Sequence, residues 1–437
     1  MLFAIALLPS VTGAQQQAKW VTSWAASVQG PFPSGSALAL PDQSFAFPEP
    51  TTGANDQTFR MIVRPSVWGK QARLRFSNVF GTQPLKLDGV FVALQLSSAA
   101  LVPKTNTPVR FSGRGEVSIA PGKDVWSDPV TLPFSSAKEV TALAGRKLAV
   151  SFHVVGSSGP MTWHAKSLQA SYVSLPNAGA HGSDDGEQAF PTSSTAWFFL
   201  DAVDMQMPGD TPLVVCFGDS ITDGTGSTLS GDDRWPDILQ RRLASQLPNG
   251  VAVVDAGIGG NLITGPESYS AQTPAAGGPA AIQRIDRDVV ALSGVTTVIW
   301  FEGINDLSHD VSTEKILEGL RIGIASLRKA IPGVRVVGAT ITPSLGAASA
   351  AGSADVDRKR KTINETIRSG GMFDAYVDFD QATVDPQSGG LKTEFVPSST
   401  IGGPGDKLHP NRAGYLSMAN AIPLETILPR LQPGQHK

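Results

Sequence analysis

The stretch VVCFGDSITDGTG, residues 214–226, decides the fold. An apolar run stops abruptly at Gly218, Asp219 and Ser220, then continues through small polar residues. An apolar strand with so little alternation belongs in a parallel sheet covered on both faces, and ligands of such sheets sit beyond the carboxyl ends of the strands. Ser220 is therefore either a plain turn residue or a nucleophile held at the rim of a sheet.

Further apolar runs follow at residues 251–256, 296–301, 334–339 and 376–379, separated by segments of helical spacing at 235–247, 281–292, 312–330 and 355–368. A last helical pattern runs from Asn411 to about Ile427. Strand–helix alternation of this kind predicts an α/β domain with a parallel sheet. Upstream the pattern differs. In TFRMIVR, Phe59, Met61 and Val63 share one face and Arg60, Ile62 and Arg64 the other. ARLRFSN (72–78) and KLAVSFHVV (147–155) alternate in the same way. Period two with Gly, Pro, Asn and Ser punctuation predicts antiparallel strands, best arranged as a β-sandwich or jelly-roll, and no helix. MPGDTP, residues 207–212, resists helix and strand alike and marks the boundary. The expected division is a signal segment over 1–18, a β-sandwich domain over 19–207 and a catalytic domain over 208–437.

A chain of 437 residues is too long for one ordinary core, which also argues for two domains. Its net charge of -3 and the lack of Lys/Arg runs argue against nucleic acid as a partner. Cys216 is the one cysteine, so no intramolecular disulfide forms, and its apolar neighbours make it a small buried hydrophobe. Residues 2–8 are apolar and precede Pro9 and small residues up to Ala14, as in a secretory signal, although the first positive charge comes only at Lys19. No other stretch approaches the ~20 apolar residues of a membrane span. The mature protein is expected to be soluble and secreted or periplasmic.

Chemistry-bearing residues gather at the predicted strand ends. Beyond Ser220, the second strand ends in DAGIGGN (255–261), the third in FEGIND (301–306), and DKLHPN (406–411) opens the final helix, with Pro410 suited to its first position. A serine hydroxyl needs a base to take its proton. His409 suits that task, and Asp406 three residues before it can fix the imidazole tautomer. An oxyanion needs donors aimed at it, and the backbone N–H groups of Ser220 and Gly260 and the side-chain amide of Asn305 are the candidates.

These blocks resemble those of the SGNH hydrolases, also called the GDSL esterase/lipase family, two-domain bacterial type. Ser220 lies in GDSIT, with Ile221 where the family name has Leu, Gly260 in GIGGN, Asn305 in GIND, and Asp406 and His409 in DKLHP. The four blocks occur in order over roughly residues 211–430. WVTSWAAS and DQTFRMIVRPSV in the first half also look like longer members, with less specific signals. The resemblance implies a flavodoxin-like three-layer α/β/α fold around a five-stranded parallel sheet, hydrolysis without metal or cofactor, and a shallow, adaptable site.

Competing assignments stand beside these. Gly259 is an alternative backbone donor to Gly260, and Asp306 is expected to do structural work beside Asn305. The Asp-x-x-His spacing recurs as Asp306 and His309 in NDLSHD. That pair would crowd oxyanion donor and base onto one loop, so the C-terminal pair is preferred. His153, His164, His181 and His436 read as structural or surface residues, and Trp20, Trp24 and Trp163 as core rather than a sugar-stacking surface. Asp219 is a supporting residue. Asp219, Asp223, Asp232 and Asp233 lack the spacing of a calcium loop. Loops 264–279, 343–354 and 383–405 are expected to frame the pocket. The resulting expectation is a serine esterase for carboxylic acyl or acetyl esters. Its alternatives are a carbohydrate esterase deacetylating a glycan, or a carbohydrate-binding surface protein whose hydrolase half is idle. A small-molecule or glycan ester is the expected partner.

Overall fold

The computed structural model describes residues 18–136 and 140–428. The expected signal segment, residue 18 apart, and His436 lie outside the described residues.

Strand β1 (Leu213–Gly218) is buried along its whole length. Leu213, Val215 and Phe217 enter one hydrophobic core, while Val214 and Cys216 enter a second with Trp235, Leu239 and Tyr415. Both faces being covered, alternation is lost and the run is continuously apolar. With β2 (Ala252–Gly257), β3 (Val295–Phe301), β4 (Arg335–Ala339) and β5 (Ala375–Val377) it forms a five-stranded sheet of order β2-β1-β3-β4-β5. Every pairing in it is parallel. The order reverses next to β1, so the carboxyl ends of β1, β2 and β3 flank one crevice.

Helices Trp235–Gln246, Thr313–Ala330 and Ala354–Ser369 fall where the spacing predicts them. Three elements differ from expectation. Segment 281–292 is a short α-turn, Ala281–Ile285, that widens into a π-turn, Asp286–Val290. Asp288 of the widened turn lies against both Arg284 and Arg287. β5 stops at Val377 because the Asp378 side chain accepts the Gln381 N–H and starts helix Phe379–Thr383. The last helical pattern divides into Arg412–Asn420 and Leu424–Ile427, separated at Pro423, which cannot donate to a continuing ladder. Its cap is Asn411, whose side chain accepts the N–H groups of Ala413 and Gly414, so Pro410 precedes the cap instead of opening the helix.

The first half is strand-rich. Lys19–Ala25, Leu200–Met207, Gln71–Ser77 and Asp124–Trp126 lie in one antiparallel sheet, and Asn55–Val63, Leu148–Ser157 and Leu85–Ser97 in another. The sheets meet through aromatic side chains, with Phe76 of one 5.1 Å from Phe152 of the other between ring centroids. Among the described residues its helical structure is limited to a 3₁₀ turn at Val140–Leu143. The second face of Asn55–Val63 is also covered. Arg60 is fully buried, bonded through Nε to the Ser151 hydroxyl and stacked on Phe190. Trp24 and Trp163 are core residues, and Trp20 lies under the Arg73 guanidinium.

The two halves share one hydrophobic core. Polar ties reinforce it: Thr22 N–H donates to the Ser293 carbonyl at 2.9 Å, and Arg64 meets Asp237 at 3.1 Å. Arg75 and Asp201, both buried, pair at 2.8 Å.

Candidate active site

β1 ends at Gly218, and a one-turn helix, Ser220–Asp223, starts at once. Asp219 is its cap, accepting the Ile221 N–H at 3.0 Å, and Gly224 closes it with φ 100°. Gly218 is required by space, since a Cβ there would lie 2.6 Å from the Phe301 carbonyl oxygen. The chain thus presents Ser220 at a sharp strand-to-helix turn beyond the sheet. Burial pushes the Asp219 carboxyl up to about 8 in spite of its backbone bond, with Glu302 and Asp306 adding to the rise.

The Ser220 hydroxyl lies 2.8 Å from His409 Nε2, and His409 Nδ1 lies 2.6 Å from an Asp406 carboxylate oxygen. A carboxylate only accepts, so Nδ1 carries the proton and Nε2 offers its lone pair to the serine O–H. The other Asp406 oxygen accepts the N–H groups of Leu408 and His409, at 2.9 and 2.8 Å. Burial works to raise this carboxyl, but the imidazole and the two N–H donors hold it well below the usual carboxylate range. The loop that leads to the His409 turn is tied to the chain just after the serine helix: the Ser399 N–H donates to the Gly226 carbonyl, and the Thr400 hydroxyl to that of Ser227.

Of the two glycines after β2, Gly259 gives its N–H to Asp223 Oδ2 at 2.8 Å, which leaves Gly260, at φ 82°, as the candidate donor. Asn305 lies in helix Ile304–Ser308 after β3. Its Nδ2 donates one N–H to the Asn261 carbonyl at 2.9 Å, and a primary amide has a second to give. Asp306 accepts the N–H groups of Ile263 and Thr264 at 2.9 and 3.2 Å, pinning the loop after β2. The rival spacing does not form a pair, because His309 Nδ1 faces the Asn305 carbonyl at 2.8 Å.

Sequence reasoning missed the groups that hold these parts in place. Arg284 is fully buried. It donates to the carbonyls of Gly218 and Ala256, both at 2.8 Å, and to Asn261 Oδ1 at 2.7 Å, and it pairs with Asp288 and Glu302. One guanidinium therefore joins the ends of β1 and β2 to the residue that orients Asn305. Its place on the helical face of Ala281 and Ile285 was the available signal. Burial raises Glu302 to about 7, although Arg284 opposes the rise. His164 and Lys166, from the first half, are buried against the serine turn, and no pattern in the sequence brings them there.

Among the described residues no group of three or more His, Cys, Asp or Glu side chains is placed to hold a metal ion. Asp223 faces His164, Asp232 pairs with Lys147 at 3.1 Å, and Asp233 accepts the Thr228 N–H at 2.8 Å. Cys216 is buried, and burial pushes its thiol well above the ordinary range. Among the described residues no helix is long and apolar enough to cross a membrane.

A parallel sheet that carries a linked serine, histidine and aspartate at its carboxyl edge defines an α/β protein equipped for acyl transfer. Residues 216–416 match the GDSL-like Lipase/Acylhydrolase family, so the chain carries a domain of that family and the SGNH hydrolase fold in its C-terminal part. Among solved structures, a carbohydrate acetylesterase family member from Sinorhizobium meliloti is 16% identical, over 48% of this chain and 95% of that one, with a TM-score of 0.37. A GDSL-like lipase from Bacteroides thetaiotaomicron VPI-5482 is 18% identical, over 49% of this chain and 87% of that one, with a TM-score of 0.35. No curated protein matches the sequence.

Proposed function

We propose that this protein is a serine esterase that cleaves carboxylic esters through an acyl-enzyme. The continuous hydrogen-bonded chain from Asp406 through His409 to Ser220 carries the proposal. In this mechanism Ser220 Oγ attacks the ester carbonyl while His409 Nε2 takes its proton, and the imidazolium then returns that proton to the leaving alcohol. Water, deprotonated by the same imidazole, releases the acid and restores the serine. Asp406 stays ionised and stabilises the imidazolium. The oxyanion is received by the N–H groups of Ser220 and Gly260 and by the free N–H of Asn305. Engagement of the Gly259 N–H by Asp223 supports Gly260 in that role. We also infer export, from the apolar segment at residues 2–8.

Hydrolysis of a chromogenic acetyl ester by wild type beside Ser220→Ala tests the proposal. The variant should stay folded and lose kcat by ~10⁴-fold or more. Wild type without ester turnover, or a variant as fast as wild type, would overturn it and favour a binding role. A panel of acyl lengths and acetylated sugars then separates simple esters from glycan esters.

A further inference from the structure

The serine turn and the candidate oxyanion turn are joined through Asp223, and a side chain of the strand-rich half holds that carboxylate. His164 is 3% exposed. Its Nδ1 lies 2.8 Å from the Ser27 carbonyl oxygen and its Nε2 3.1 Å from Asp223 Oδ1. Asp223 closes the one-turn helix that begins at Ser220, and its second oxygen accepts the Gly259 N–H at 2.8 Å. Both ring nitrogens face acceptors, so a doubly protonated ring satisfies them together. Desolvation opposes that charge, but Asp223 outweighs it and raises the His164 pKa, with Arg234 acting in the other direction.

Packing points the same way. A Cβ on Gly259 would lie 2.5 Å from Lys166 Nζ and 3.2 Å from Ser36 Cβ, so two residues of the first half press directly on this turn. Lys166 is itself buried and donates to the Thr225 hydroxyl at 2.6 Å, just beyond the serine helix. Gln29 Nε2 donates to the Ala276 carbonyl at 2.7 Å, and the Tyr269 hydroxyl to that of Gly30 at 2.7 Å. These bonds fasten the rest of the loop that follows Gly260.

We propose that His164 is a positioning residue for acyl transfer: through Asp223 it fixes the Gly259–Gly260 turn relative to Ser220, so that the strand-rich half completes the catalytic centre. The inference deepens the esterase assignment and rests on it. A donor displaced by about 1 Å from the developing oxyanion forfeits ~10²-fold in rate without weakening ground-state binding much.

The test uses the full chain with His164→Ala and His164→Gln, the latter keeping a donor that reaches Asp223. Acetyl-ester kinetics are read beside hydrogen exchange of the peptide spanning residues 256–262. His164→Ala should lower kcat ~10²-fold with KM nearly unchanged and speed exchange of that peptide, and His164→Gln should recover part of both. Unchanged kcat and exchange in folded His164→Ala would overturn the proposal. So would a fall in kcat with the exchange of the turn unaltered. Wild type without ester turnover would sink the esterase assignment on its own, while the exchange result would still decide whether His164 holds the turn.

Discussion

The Asp406 carboxylate and the His409 imidazole meet at 2.6 Å within a single turn of chain, and the same carboxylate accepts the backbone N–H of His409. The pair is thus built locally, before any tertiary contact brings it to Ser220. Replacement by an amide keeps the shape but permits the wrong tautomer, with the Nε2 proton facing the serine. Asp406→Asn should lower kcat by roughly 10⁴-fold while leaving the fold intact. Because the folded pKa of Asp406 is depressed, its charge and the stability linked to it are present above the ordinary carboxylate range and are lost only as pH falls through the lowered value. The acid limb of the pH–rate profile should therefore not come from Asp406. Steady-state kinetics from pH 4 to 9 on both proteins check this, and a variant within tenfold of wild type would contradict it.

Asn305 spends one amide N–H on the Asn261 carbonyl, which aims the group and leaves the second for an oxyanion. An interaction made mainly in the transition state affects kcat more than KM. Asn305→Ala should cost ~10²–10³-fold in kcat with KM little changed. A loss confined to KM would show that Asn305 binds substrate in the ground state instead.

Arg284 explains why part of the site escaped the sequence. The strand ends, Ser220, Asn305, and the local pair of Asp406 and His409 were legible because each depends on near neighbours and on a change of hydrophobic period. Arg284 acts across the structure: its guanidinium meets the Gly218 carbonyl, the Ala256 carbonyl, Asn261 and Glu302 at once. His164 likewise sits in a two-residue strand, Trp163–His164, whose partner Asp223 is far away in the chain. The choice between Gly259 and Gly260 likewise rests on the tertiary structure, since it turns on where one N–H points. Period two in Asn55–Val63 was read correctly, but the burial of Arg60 was not, because a long charged side chain satisfied by carbonyls leaves no mark in the pattern.

Removing Arg284 should be costly for the same reason. Arg284→Met leaves Glu302 buried without its cation and Asp288 with Arg287 alone, and breaking a buried pair in this way costs about 3–5 kcal/mol. Urea unfolding of the variant should show a lower midpoint, and ester hydrolysis should fall with it. A variant as stable as wild type would mean that Glu302 finds another partner.

Asp219 sets a pH dependence of stability. Burial raises its folded pKa from 3.8 to about 8, so the native state holds a proton that the unfolded chain has released between those values. Stability contributed by this group is full below pH ~4 and falls as pH rises toward 8. Glu302 and Asp255, each raised to about 7 chiefly by burial, act in the same direction. Asn keeps the capping oxygen without a charge. Asp219→Asn should therefore lose less stability than wild type between pH 5 and 8 in thermal melts. Parallel Tm–pH curves for the two proteins would show that Asp219 does not titrate in this window.

Gly257, the last residue of β2, allows a close backbone approach in the site. A Cβ there would run into the backbone nitrogen of Asp223 and lie 2.8 Å from its Cα, so the obstacle is main chain and no rotamer change relieves it. The glycine is held by space, not by backbone conformation, as its φ is not positive. Gly257→Ala must push the end of β2 away from the one-turn helix that carries Ser220. Overpacking of this kind typically costs about 1–3 kcal/mol. The displacement should also lengthen the bond from Gly259 to Asp223, so activity should drop further than stability alone explains. Urea unfolding read beside kcat on the folded protein separates the two effects. A folded Gly257→Ala protein with wild-type kcat would show that the serine turn and the Gly259–Gly260 turn tolerate a shift relative to one another.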